Sequence, residues 1–241
     1  MNEVLKQLSD RKSVRVFKSK QISEEVKSAI IGAATEAPTA GNQQLYTILD
    51  ITDKNLKEKL AVSCDNQPFI ASAPMVLIFL ADCKKWYDAF LKSGATPRTP
   101  KAGDLFLAMS DANIAAQNAV VAAHSLGIGS CYIGDIMENC EEHRKLLNLP
   151  KYVFPAAMLV FGYPETSQIK RKKPERADIK HILHENSYRE MDEKELFELF
   201  SKKTSNDYNE WMKAFCKRKY NSEFSIEMSR SVEKYLEDFK C

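Results

Sequence analysis

The chain has 241 residues, 44% of them hydrophobic, and its 35 basic and 33 acidic side chains leave a formal charge of +2. That length accommodates one large domain, or a domain with an extension, and the apolar fraction excludes wholesale disorder. A near-neutral balance excludes a protein built to coat nucleic acid, so any basic cluster is a local feature.

Residues 2–9 suggest a short helix. Directly behind it runs Arg11-Lys12-Ser13-Val14-Arg15-Val16-Phe17, with three cations and a hydroxyl in five residues before an apolar Val-Phe step. Cations held beside buried structure suit a phosphate group. A polar strand edge with salt bridges is the plainer alternative for Arg11, Ser13 and Arg15. Val16 and Phe17 are expected to anchor the segment. Ser23 can cap a helix carrying Glu24 and Glu25 in its first turn, where the dipole favours negative charge. Val26, Ile30, Ala33 and Ala34 form its apolar stripe. Pro38 and Gly41 then break it, leaving a polar loop over Thr35–Asn42.

Leu45–Ile51, Met75–Ala81 and Val153–Gly162 are strand-length apolar runs, and their near-continuous apolarity predicts strands covered on both faces. Asp104–Leu126 reads as a long helix, with Leu105, Ala108, Ala112, Ala115, Ala119 and Ala122–Ala123 at helical spacing. So many small side chains predict a central packing helix or a subunit interface. Gly127-Ile128-Gly129-Ser130-Cys131-Tyr132-Ile133-Gly134 has the wrong spacing for a dinucleotide fingerprint. It reads instead as a loop whose backbone approaches a flat ligand. Residues 137–148 suggest a shorter helix, ended by Leu149-Pro150. A second basic cluster follows at Lys170-Arg171-Lys172-Lys173-Pro174-Glu175-Arg176. Beyond about residue 185, charged residues interleave with Leu196, Phe197, Phe200, Trp211, Phe215, Tyr235 and Phe239. This predicts amphipathic helices, either capping the core or wrapping a second subunit.

His124, His143, His181 and His184 have no zinc spacing, and neither a nucleophile elbow nor a Walker A loop is present. The six cysteines contain no C-x-x-C pair, which favours free thiols in a reducing cytoplasm. The first residues, Met1-Asn2-Glu3-Val4, lack an apolar signal region, and no apolar run reaches the ~18 residues of a membrane helix. A cytoplasmic protein with no membrane or nucleic-acid partner is expected.

Taken in order, four segments resemble the FMN-dependent nitroreductases: Arg-Lys-Ser-Val-Arg, the Ala-Pro-Thr-Ala-Gly-Asn-Gln-Gln loop, Gly-Ile-Gly-Ser-Cys-Tyr-Ile-Gly and the late Lys-Pro-x-Arg cluster. His184-Glu185-Asn186-Ser187-Tyr188, followed by a helical C-terminus, is similar to the larger, oxygen-insensitive NADPH nitroreductase and flavin reductase branch. The resemblance implies an α+β fold with a central mixed β-sheet flanked by helices. It implies an FMN-binding domain over residues 1–190, and a helical extension over 191–241 packing on the core or the partner subunit. It also implies a homodimer with FMN sites at the interface.

By position, the resemblance implies that Arg11, Ser13, Lys173 and Arg176 hold the FMN phosphate, with Lys12 assisting. Arg15 would reach the pyrimidine edge and stabilise charge near N1 and O2. Thr39 and Asn42 would reach FMN from the partner subunit, and Gln67 would contact the ring edge. Tyr132, Ile133 and Gly134 would bring backbone to the N5/O4 edge, with Asp135 just beyond. Three departures stand out. The added Glu175 leaves Lys172, Lys173 and Arg176 as alternatives for the phosphate. Gln44-Leu45-Tyr46 replaces the common Gln-Pro-Trp. Asp135 replaces a small residue and sets a carboxylate beside the flavin.

The implied activity passes reducing equivalents from NADPH or NADH through FMN to nitroaromatics, quinones or free flavin, and it needs no side-chain nucleophile and no metal. Lys203, with Lys202 beside it, is the candidate for the NADPH phosphate. Two alternatives remain open: a flavin reductase or other specialised flavoenzyme on the same fold, and a nucleic-acid-binding protein with steeply salt-dependent affinity.

Overall fold

In a computed structural model, which describes residues 2–240, the chain forms a four-stranded sheet covered by helices. Helix α1 spans Glu3–Asp10, with the Asn2 side chain accepting from the Leu5 N–H. Helix α2 spans Glu24–Thr35, capped by Ser23 as its sequence predicts, and buries Ile30 and Ala34. Strand β1 is Tyr46–Asp50. Two helices follow that the apolar runs do not reveal, α3 (Lys54–Ser63, capped by Asp53) and the short α4 (Pro68–Ser72, opened by proline). Strand β2 is Met75–Asp82, helix α5 is Lys84–Lys92, and α6 is Ala102–Ser125. Strand β3 (Gly129–Ile133), helix α7 (Cys140–Leu147) and strand β4 (Val153–Gly162) complete the core.

The strand order is β1-β2-β4-β3, and every ladder is antiparallel. The sheet is mixed only through a parallel bridge between Ser13 and Ser130. Strands β2 and β4 are buried along their whole length, as their unbroken apolarity requires. Phe79 and Phe161 are fully covered there, and each such side chain contributes about 1.5–3 kcal/mol by leaving water. The central helix α6 packs on β2, β4 and α2. It buries Ala108, Ala112, Ala115, Ala116, Ala119 and Ala123, and these small side chains let its neighbours approach closely. Another face of α6 leaves Phe106, Leu107 and Ile114 exposed.

Two expectations change. The Gly127–Gly134 segment is not a loop: Gly129–Ile133 is the edge strand β3, and the 3₁₀ turn Gly134–Met137 closes it. The apolar anchor of the basic segment also shifts. Val14 is 5% exposed and Val16 49%, because it is Val14 that lies against the bare backbone of Gly129. Phe17 packs against the core as expected.

The chain separates into two compact units, one running to Arg171 and resuming at Glu227, the other spanning Lys172–Ile226. The first adds α8 (Thr166–Lys170). The second holds α9 (Glu193–Ser201) and α10 (Tyr208–Lys219), and α11 (Glu223–Leu236) leads from it back into the first. There Tyr235 is fully buried, its ring 4.9 Å from Phe154, and Arg144 pairs with Asp238 at 2.5 Å. No helix among the described residues is long and apolar enough to cross a membrane. Cys64, Cys83, Cys131, Cys140 and Cys216 are free thiols, and Cys241 lies outside the described residues.

Candidate functional site

The basic segment owes its position to a pair of glycines. Gly129 on β3 and Gly162 on β4 face each other across the ladder. A Cβ on Gly129 would sit 2.6 Å from Val14, and one on Gly162 would sit 2.7 Å from the Phe17 ring. The missing side chains form a seat into which Val14 and Phe17 fit, laying Arg11–Phe17 across the sheet. Backbone bonds hold it there: Val14 N–H to Ser130 O at 2.9 Å, Lys18 N–H to Tyr163 O at 2.8 Å, and Glu165 N–H to Val16 O at 3.1 Å.

The two basic stretches clasp one another within the first unit. Lys12 Nζ donates to Ile169 O at 2.7 Å and also to Arg171 O. Arg171 in turn donates to Ser13 O. Arg171 is thus a structural partner of the N-terminal segment that sequence reading passed over. Arg11 is different, because its Nη1 is buried without any hydrogen-bond partner. A buried guanidinium N–H left unpaired costs ~1–3 kcal/mol or more, the situation a bound anion would relieve.

Further along the same unit, Arg15 lies 5.9 Å over the Phe69 ring of α4, and its N–H is hydrogen-bonded to Gln168 Oε1 at 3.3 Å. Gln67, at the start of α4, donates from Nε2 to Cys64 O at 2.8 Å and to Asp135 Oδ2 at 2.9 Å. Tyr132 on β3 donates to Gln117 Oε1 at 3.3 Å. Burial pushes its phenol up to about 12, while the Arg11 charge acts in the opposite direction. Ile133 is buried, and Gly134 lies exposed at the turn. Ser13, bridged to Ser130, thus lies beside β3, Tyr132 lies on it, and Asp135 with its partner Gln67 lies at the turn that closes it.

Thr39 and Asn42 sit on a separate loop with unusual backbone. Asn42 and Gln44 have φ of 56° and 48°, in the left-handed region. The fastening is Asp111, buried in the alanine face of α6, whose two oxygens accept from Ala40 N at 2.9 Å and Leu45 N at 3.1 Å. Thr39 Oγ1 also accepts from Gln44 N at 3.3 Å. A carboxylate interrupting an alanine stripe was the available sequence signal, and it was missed. Left-handed Asp65 and Asn66 likewise lead into Gln67, and left-handed Asn139 follows the turn after β3. Non-glycine residues so placed cost about 1–3 kcal/mol each and cluster at functional sites.

Lys173, Arg176 and Lys203 lie in the second unit, where they line one cleft of about 560 Å³ together with His181. Acidic residues temper it: Lys202 pairs with Asp178 at 2.8 Å, and Lys172 with Glu175 at 3.4 Å. His181 is nearly buried, and neither of its ring nitrogens has a hydrogen-bond partner. Among the described residues no cluster of His, Cys, Asp or Glu is arranged to hold a metal ion.

Residues 8–163, well over half of the chain, match the Nitroreductase family. The chain belongs to that family. It is 33% identical over 240 residues to the Bacillus subtilis (strain 168) protein named as an NAD(P)H FMN reductase, covering 98% of this chain and 92% of that one. It is 32% identical over 233 residues to the Cr(VI) reductase of Pseudomonas sp. (strain G-1), covering 96% and 89%. Among solved structures, NfrA1 of B. megaterium matches it with a TM-score of 0.85 at 32% identity, over 97% of this chain and 98% of the other. Within this nitroreductase-family chain, the matched residues contain the whole sheet and the seated basic segment.

Proposed function

We propose that the chain is an FMN-dependent NAD(P)H oxidoreductase that reduces nitroaromatics, quinones or free flavin from a cofactor held beside the edge strand. The observation that carries this is the seated basic segment, with the partnerless Nη1 of Arg11 inside it. A phosphate dianion supplies the acceptor oxygens that such a donor lacks. FMN, when bound, supplies the hydride acceptor and donor chemistry.

The chain's own residues bind and orient. Arg11 and Ser13 hold the phosphate, with Lys12 fixing the segment. Arg15 sets a cation at the pyrimidine edge, where it stabilises negative charge. Gln67, Asp135 and the Tyr132–Gly134 backbone form the opposite polar edge. Thr39 and Asn42, on the loop pinned by Asp111, reach the site of a partner subunit in a homodimer. The exposed Phe106, Leu107 and Ile114 of α6 support such a dimer, because an apolar helix face of this kind favours a covering surface. Residues 1–190 act as the cofactor-binding domain and 191–241 as a helical extension. Lys203, sharing its cleft with Lys173 and Arg176, takes the phosphate of NADPH. A cytoplasmic setting suits free thiols and a nicotinamide donor.

The test is spectroscopic. Purified protein incubated with FMN should be yellow after desalting, bleach anaerobically with NADPH, and regain colour on adding a nitroaromatic or a quinone. A preparation that stays colourless, or a coloured one that NADPH and NADH leave unbleached, overturns the proposal.

A further inference from the structure

Behind the proposed cofactor edge lies a buried carboxyl to which that reading gives no role. Glu138 follows the turn that closes β3 and is 4% exposed. Its Oε1 is buried without a hydrogen-bond partner. Its N–H donates to Asp135 O at 3.1 Å, which places the two acids on one tight turn. Two ionised carboxylates are both acceptors, so a bond between these two acids requires a proton on one of them. Asp135 Oδ2 accepts from Gln67, whose second amide hydrogen is taken by Cys64 O. Gln67 thus ties Asp135 to the backbone, while the buried Glu138 shares the turn with Asp135.

The charges that most affect Glu138 belong to acids: Asp135, Asp65 beyond α3, and Glu227 of α11. Glu227 is itself paired with Arg230 at 2.8 Å. On the α3 side, burial raises the Cys64 thiol well above its ordinary range, so it stays neutral. On α7, Glu142 acts on His143, whose ring burial holds below its usual value and so neutral. The His143 Nδ1–H donates to Ile136 O at 2.9 Å, and Nε2 therefore accepts from Ser63 Oγ at 2.8 Å. Cys140 is likewise a buried, raised thiol.

We propose that Asp135 and Glu138 form a carboxyl pair sharing one proton, resident on the buried Glu138, and that this pair is a positioning device holding Gln67 at the cofactor edge. The link to the cofactor rests on the FMN reading above; the pair itself does not. Burial first, then the Asp135 charge, pushes the Glu138 acid up from 4.5 to about 7. The folded state thus binds more protons than the unfolded chain between those values, so stability falls as pH rises through that window. Losing the proton sets two negative charges side by side and withdraws the orientation of Asp135 that Gln67 depends on.

The experiment uses the full chain, apo and FMN-loaded, as wild type, Glu138→Gln and Asp135→Asn. Urea midpoints of the apo wild type should fall between pH 5 and pH 8, whereas Glu138→Gln, which keeps a donor without a titration, should be flat. FMN affinity of the wild type should fall across the same window, and that of Glu138→Gln should not. An infrared band from a protonated carboxyl should be present in wild type at pH 6, lost by pH 9, and missing in Glu138→Gln at both. Parallel wild-type and Glu138→Gln midpoints, or no such band, overturn the pair. Divergent midpoints with no FMN binding keep the pair and sink the cofactor reading. If Glu138→Gln fails to fold, Asp135→Asn decides by the same band, which it should lose at a lower pH than wild type, since the charge opposing ionisation of Glu138 is gone; a band that persists to the same pH as in wild type overturns the pair.

Discussion

Two stretches of this chain look alike as strings of cations, and the fold treats them in opposite ways. Arg11–Arg15 is laid over the paired glycines of β3 and β4, stitched by backbone bonds, and keeps one guanidinium N–H buried and unpartnered. Among the cations of 172–176 and their cleft, Lys172 and Lys202 reach carboxylates of their own through exposed side chains. Exposed pairs of this kind contribute about 0–1 kcal/mol and weaken with salt. The apolar seat beneath a basic motif thus fixes it in place, and charge density alone does not.

That contrast can be broken or sharpened in steps. The largest expected effect lies away from both clusters: Asp111→Ala leaves two buried backbone N–H groups unpaired and should cost about 2–4 kcal/mol in urea unfolding. An unchanged midpoint would mean that the Thr39–Gln44 loop holds itself. Arg11→Ala should weaken FMN binding about 10- to 100-fold, the value of a charge-assisted contact, read by fluorescence titration. Unaltered affinity would reduce the segment to surface charge. Gly129→Ala should cost about 1–3 kcal/mol through its clash with Val14 and should also loosen FMN. Loss of stability without loss of affinity would uncouple the seat from the site. Lys203→Ala should raise the KM for NADPH only about two- to five-fold, with the KM for NADH unchanged. Equal changes for the two donors would remove Lys203 from phosphate recognition.

Elements with strong periodicity were legible. The alanine stripe of α6, the Ser23 cap of α2 and the runs of β2 and β4 all emerge from side-chain pattern, because one buried face or two dictates the spacing. Helices α3 and α5 were not legible. The α3 sequence mixes four charged residues into its ten and buries only Leu60, Ala61 and Ser63, while α5 has no buried residue. Strand β3 was misread because Gly129 and Ser130 carry loop composition. It is a strand because Gly129 faces Gly162, a partner 33 positions away in the chain. In the candidate site, the residue types and their order were readable, which is why the family resemblance led to the matched family. Asp111 and Arg171 were not, since each acts on a group distant in sequence, and Glu138 was not, since its burial is set by packing around the turn.

By itself the sequence determined the class of fold, the family, and the basic segment as the place to look. These follow from local pattern and motif order, which tertiary structure does not alter. The tertiary structure alone decided that Val14, with Val16 left in solvent, anchors that segment, that Arg11 keeps an unsatisfied donor, and that Asp135 meets both Gln67 and Glu138. Each depends on what lies across the sheet or beyond a turn, and burial and pairing there are properties of the packed chain.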